Sequence, residues 1–161
     1  MNTKKLILLF YLASNLCAML VAQNHIQPQM VNISVENLTS IGVLISEVTK
    51  DGKKATKIIE DKKPTLKQSM AIIKNLDFTN GTIELEVNGG RRPDSDTTNR
   101  GFIGLAFRVQ EKDTISYECF YIRPDNGRAN DQLRRNHSTQ YISEPQYPWH
   151  TLRKDFPGVY E

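Results

Sequence analysis

An antiparallel all-β domain behind a cleavable leader is what this sequence predicts, and three observations carry that reading. Apolar residues recur with period two or in short blocks, rarely at the three-and-four spacing of a helix. The runs are short and separated by turn-forming residues, as in a sandwich or barrel. One stretch alone is apolar enough to meet a membrane, and it opens the chain. At 161 residues, 39% hydrophobic and 24% charged, the chain suits one domain plus a short leader. That composition argues against disorder, collagen and disulfide scaffolds.

The leader comes first. Lys4 and Lys5 precede Leu6-Ile7-Leu8-Leu9-Phe10-Tyr11-Leu12-Ala13, and a second apolar patch ends at Ala22-Gln23. A basic start, an apolar centre and a small residue before a polar one mark a secretory signal peptide over residues 1–22. Ser14 and Asn15 break the run below the ~20 apolar residues of a spanning helix. Leu16 argues against a lipoprotein site at Cys17, where a small residue belongs. The remaining domain, residues 23–161, is expected outside the cytoplasm, secreted or periplasmic, with no membrane attachment after cleavage.

Removing the leader takes two lysines and no acid, so the formal net charge falls from +3 to +1. General attraction to nucleic acid is therefore not expected. Cys119 is the one cysteine left, so the domain must rely on its apolar core. No base adjoins Cys119, and a small buried hydrophobe is its commoner role.

Candidate strands follow in order: Met30–Val35, Ile41–Val48, Ala55–Glu60, Ser69–Lys74, Thr82–Val87, Phe102–Val109 and Ile115–Arg123. Turns fall at Lys50-Asp51-Gly52-Lys53, Lys62-Lys63-Pro64, Asn80-Gly81, Asn88-Gly89-Gly90 and Glu111-Lys112-Asp113. The polar Gly89–Gly101 loop belongs at one end of the sheets. Eight lysines lie between Lys50 and Lys74, suited to a solvated, edge-protecting face. All nine arginines lie from Arg91 to Arg153, where their forks suit bidentate recognition.

Three stretches can carry chemistry. Alternation in Thr82–Val87 puts Glu84 and Glu86 on one face, roughly 6–7 Å apart at Cα, within the range of glycosidase acid pairs. The same alternation describes the wet face of any antiparallel strand. These two are the catalytic candidates, and neither is assigned. The second stretch is a hairpin of Phe102–Val109 and Ile115–Arg123. If the faces coincide, Phe102, Gly104, Ala106 and Arg108 form a shallow trough beside Tyr117, Cys119, Tyr121 and Arg123, a platform for a polar ring-shaped ligand or simply a core strand. The third is Arg123 to Tyr141, rich in hydrogen-bonding groups. Its candidate ligand-binding residues are Arg123, Asn126, Arg128, Asp131, Arg134, Arg135 and His137, beside Tyr117 and Tyr121. Arginines tied to Asp125 or Asp131 would instead staple the loop.

No phosphate loop, Cys-x-x-Cys or Gly-x-Ser-x-Gly occurs, and three scattered histidines make a metal site improbable. No metal or cofactor is expected. Sequons stand at Asn32, Asn37, Asn80 and Asn136.

The segments Gly101–Arg108, Tyr117–Pro124, Asn126-Gly127-Arg128, Arg134–Tyr141 and Tyr147-Pro148-Trp149-His150 resemble a group of secreted bacterial proteins with a concanavalin A-like jelly roll (lectin/glucanase, laminin-G-like). Phe78–Val87 is similar to the opening strand of such domains, including 3-keto-disaccharide hydrolases. The resemblance implies an antiparallel β-sandwich of jelly-roll type. It also implies further strands beyond Tyr160-Glu161, so the domain over residues 23–161 is expected to be partial, incomplete at its C-terminus. Three functional classes stay open. The first is a carbohydrate-binding protein for a polar or anionic saccharide; the second is a glycoside-acting hydrolase of the 3-keto-disaccharide or glucanase-like type. The third is a structural module that binds a protein partner.

Overall fold

The computed structural model describes residues 28–63 and 68–161, so the leader and Pro64 lie outside the described residues. Contacts divide the chain between Asn32 and Ile33. Residues 28–32 carry no regular structure, and the elements below all belong to residues 33–161.

These elements are mostly antiparallel β-strands with a few short helices. A 3₁₀ turn, Val35–Asn37, leads into β1 (Leu38–Ile41). The Met30–Val35 strand expected from the sequence is absent: residues 28–34 are irregular, and no neighbouring strand pairs them. β1 pairs with β4 (Met70–Ile73) from Leu38↔Ile73 to Ile41↔Met70. Leu38 and Ile41 are buried, so the strand's two ends face inward while Thr39 and Ser40 are exposed.

Gly42, at φ 62°, turns the chain into β2 (Val43–Lys50), which pairs along its whole length with β3 (Lys53–Glu60). The connection is Asp51-Gly52, with φ of 51° and 77°. Two successive positive φ values make the tight turn whose twist matches the flanking strands. Leu44 and Ile58 remain 54% and 45% exposed, so this hairpin presents apolar side chains on both faces.

β5 (Ile103–Glu111), β6 (Ile115–Ile122) and β7 (Thr139–Glu144) form a three-stranded antiparallel sheet with β6 at its centre. Between β6 and β7 lie two short helices, α1 (Pro124–Gly127) and α2 (Gln132–Asn136). Pro124 sits at the first turn of α1, where its missing N–H costs nothing. The Asp131 side chain accepts from the Arg134 N–H at 3.1 Å and caps α2. After β7 comes α3 (Trp149–Asp155), whose Leu152 is buried, as is Ile142 of β7.

The outer edge of β7 is closed by local chain. Ser143 and Tyr147 exchange backbone hydrogen bonds, and the Tyr141 N–H donates to the Tyr160 carbonyl at 2.9 Å. Capping the outward-facing N–H groups in this way removes a template for strand addition.

The expected Thr82–Val87 strand also does not form. No ladder includes it, and Ile83, Leu85 and Val87 are each more than 40% exposed. Alternation supplies a strand with two chemically distinct faces, but only a partner edge makes it a strand. The segment's described anchor is Glu86, held by Lys53 Nζ at 3.1 Å.

Candidate binding face

Strand register decides which side chains share a face. Gly104 stands opposite Tyr121 and Ala106 opposite Cys119, while Tyr121 pairs with Gln140 and Cys119 with Ile142. One face of the sheet therefore carries Gly104, Ala106, Tyr117, Cys119, Tyr121, Gln140 and Ile142. The two strand faces whose coincidence the sequence left open do coincide, with Gly104 and Ala106 against Tyr121 and Cys119. Gly104 is required there, because a Cβ would lie 2.5 Å from both Cα and Cβ of Tyr121. Phe102 meets Tyr121 edge to face, with ring centroids 5.7 Å apart at 80°. The Arg123 guanidinium lies 5.4 Å from the Tyr121 ring centroid on its face.

Burial sets the chemistry of Cys119 and Tyr117 on β6. It pushes the Cys119 thiol up to about 11. It pushes the Tyr117 phenol up to about 12, reinforced by the Glu144 carboxylate. Both groups are neutral at physiological pH, and Cys119 is no nucleophile there.

Arg108 leaves this face. A bulge interrupts the β5–β6 register between Phe107 and Gln110, and Arg108 adopts φ 53° within it. Its Nη1 lies 2.6 Å from Glu118 Oε1, and the Tyr141 hydroxyl donates to Glu118 Oε2 at 2.8 Å. Glu118 and Tyr141 belong to the opposite face of the sheet. The Arg108 hydrogen bond, helped by that from Tyr141, holds the Glu118 carboxyl below the usual carboxylate range. Arg108 is raised in return, and Tyr141 is raised by desolvation and by Glu118.

The loop arginines are largely spent on the protein itself. Arg123 is only 5% exposed; it donates to the His137 carbonyl and to Gln140 Oε1, both at 2.7 Å. Gln140, fully buried, donates hydrogen bonds from its side-chain amide to the carbonyls of Tyr141 and Tyr160. Asn126 is buried and also donates to the His137 carbonyl, at 2.9 Å. Arg134 reaches the Asp125 carbonyl at 3.5 Å, and Arg135 donates to the Ala129 carbonyl at 2.6 Å and to Gln132. Of the four, Arg128 alone is exposed. His137 Nδ1 and Arg153 Nε each lie 2.6 Å from Glu161 Oε2. Those contacts are ion-pair close without the alignment of hydrogen bonds.

Sequence reasoning thus named Arg123, Asn126, Arg134, Arg135 and His137, and the fold gathers them into one stapled loop. It overlooked Gln140, Glu118 and Tyr141, although the alternation of Gln140-Tyr141-Ile142-Ser143-Glu144 was there to mark a strand. Glu84 and Glu86 are exposed and belong to no strand, with Glu86 tied to Lys53 at the start of β3. Among the described residues, no group of three metal-ligating side chains comes together, and no helix is long and apolar enough to cross a membrane. Comparison with protein-family models, curated proteins and solved structures gives no match.

Proposed function

We propose that this chain is a secreted carbohydrate-binding protein that takes a polar or anionic saccharide on the Phe102/Tyr117/Tyr121 face. The reading treats the small sheets as parts of a concanavalin A-like sandwich. The observation that carries it is the Tyr121 ring, met edge to face by Phe102, covered by the Arg123 guanidinium and paired across the sheet with Gly104. A ring held in place by such neighbours suits stacking by a sugar face. Arg128, the exposed loop guanidinium, is the donor suited to an acidic substituent.

Binding is favoured over hydrolysis because Glu84 and Glu86, the candidate acid pair, are exposed and belong to no strand that would fix their spacing. Glu36, Asp94, Asp96 and Glu118 are all displaced downward, by hydrogen bonds first in each case. A glycosidase acid needs displacement in the other direction.

A glycan array followed by titration calorimetry tests this. Saturable binding without turnover is expected, and Tyr121→Ala should weaken it by up to roughly tenfold, the worth of one aromatic contact. Glu84→Gln with Glu86→Gln should leave binding unchanged. Product formation that disappears in that double variant would establish the hydrolase instead. A blank array together with a captured protein partner would establish the partner-binding module.

A further inference from the structure

We infer that Asn80-Gly81 is a site of spontaneous deamidation, and that the fold ranks the chain's three Asn-Gly pairs by how freely each can cyclise. The pairs are Asn80-Gly81, Asn88-Gly89 and Asn126-Gly127. In the reaction the glycine backbone nitrogen attacks the asparagine Cγ, loses its proton, and expels the side-chain amide as ammonia. Water then opens the succinimide at either carbonyl, leaving aspartate or isoaspartate. One water enters and one ammonia leaves, with no change of oxidation state. Glycine permits the step because no Cβ hinders the approach.

The structure separates the three. Asn80 and Gly81 are both exposed, and among the described residues no hydrogen bond holds the Asn80 amide or the Gly81 N–H. Gly81 has φ 143°, and a Cβ there would meet nothing but the Phe78 ring, at 3.5 Å. Asn88 is exposed too, but Gly89 is packed so closely that a Cβ would fall 2.4 Å from Ile103 Cγ2. That contact restricts the backbone rotation the attack needs. Asn126 is doubly locked: it is buried, with its amide on the His137 carbonyl at 2.9 Å. The Gly127 N–H that would attack donates to the Arg123 carbonyl at 3.1 Å.

The change has a local consequence. It adds a negative charge just ahead of Glu84 and Glu86, and in residues 23–161 it takes the formal net charge from +1 to zero. Isoaspartate also inserts a methylene into the main chain, and either product abolishes the Asn80 sequon.

The experiment holds the folded protein at mildly alkaline pH, with a parallel sample in urea. Tandem mass spectra of its tryptic peptides locate each amide-to-carboxyl mass increase. Asn80 should convert first and Asn88 more slowly. Asn126 should lag Asn80 by at least about tenfold while folded, because it reacts only through local opening. In urea the three rates should converge. Asn80→Gln, an exposed change, should remove the fastest conversion and leave the other two untouched. An unchanged Asn80, or an Asn126 that converts as fast in the folded protein, overturns the inference.

Discussion

Arg123 and Arg128 flank the same short helix and do opposite work. Arg123 satisfies a backbone carbonyl and a fully buried glutamine, so its removal strands Gln140 Oε1 in the interior, while the His137 carbonyl keeps Asn126 as its one donor. Each buried group left unpaired costs roughly 1–3 kcal/mol. Arg123→Ala should therefore lower the urea midpoint clearly, whereas Arg128→Ala should stay within about 0.5 kcal/mol of the parent. Equal midpoints for the two variants would remove the stapling role from Arg123. The comparison also separates stability from recognition: loss of saccharide binding in Arg128→Ala without loss of stability assigns that guanidinium to the ligand.

At the scale of elements, turn chemistry and edge protection decide what forms. The β2–β3 hairpin depends on Asp51-Gly52 in the left-handed region. A Cβ at Gly52 would meet nothing within 4 Å, so space is not what excludes other residues; backbone conformation is. Gly52→Ala should cost about 1 kcal/mol by equilibrium unfolding, the steric penalty of a Cβ in that region. An unchanged stability would mean that the turn relaxes to another type. In β7 the same logic runs through backbone bonds: Tyr147 and Tyr160 occupy its outer N–H groups, and the sheet ends there without an open ladder on that side.

For the whole molecule, the distribution of burial governs the response to pH. Cys119 ionises near 9 when exposed and near 11 in the fold, and Tyr117 near 10 when exposed and about 12 in the fold. Between those values the unfolded chain has already lost protons that the folded chain retains. Stability is therefore fully present below about pH 9 and falls as pH rises toward 12. Urea unfolding across that range should show the slope, and Cys119→Ser combined with Tyr117→Phe should make it shallower, leaving the smaller part that the raised Tyr141 phenol supplies. An undiminished slope in the double variant would place the alkaline sensitivity elsewhere.

Local chemistry was legible in the sequence wherever one residue decides a conformation. Asp51-Gly52 announces its hairpin because few other residue types tolerate two positive φ values in succession, and the β5–β6 pairing follows from alternation across a short turn. Period two sets Gly104 with Ala106 on one strand face and Cys119 with Tyr121 on the other, while the cross-strand register decides that the two faces coincide. Thr82–Val87 has an equally regular pattern and forms no strand, since a ladder requires a neighbouring edge that no residue within the segment can specify. Arg108 and Arg123 were expected to stand at the strand ends beside the trough. A bulge sends the first to Glu118, and burial commits the second to Gln140 and the His137 carbonyl. A guanidinium has the same five donors in either role. Whether they meet a ligand or the protein's own carbonyls depends on contacts distant in sequence, and only the tertiary structure decides that.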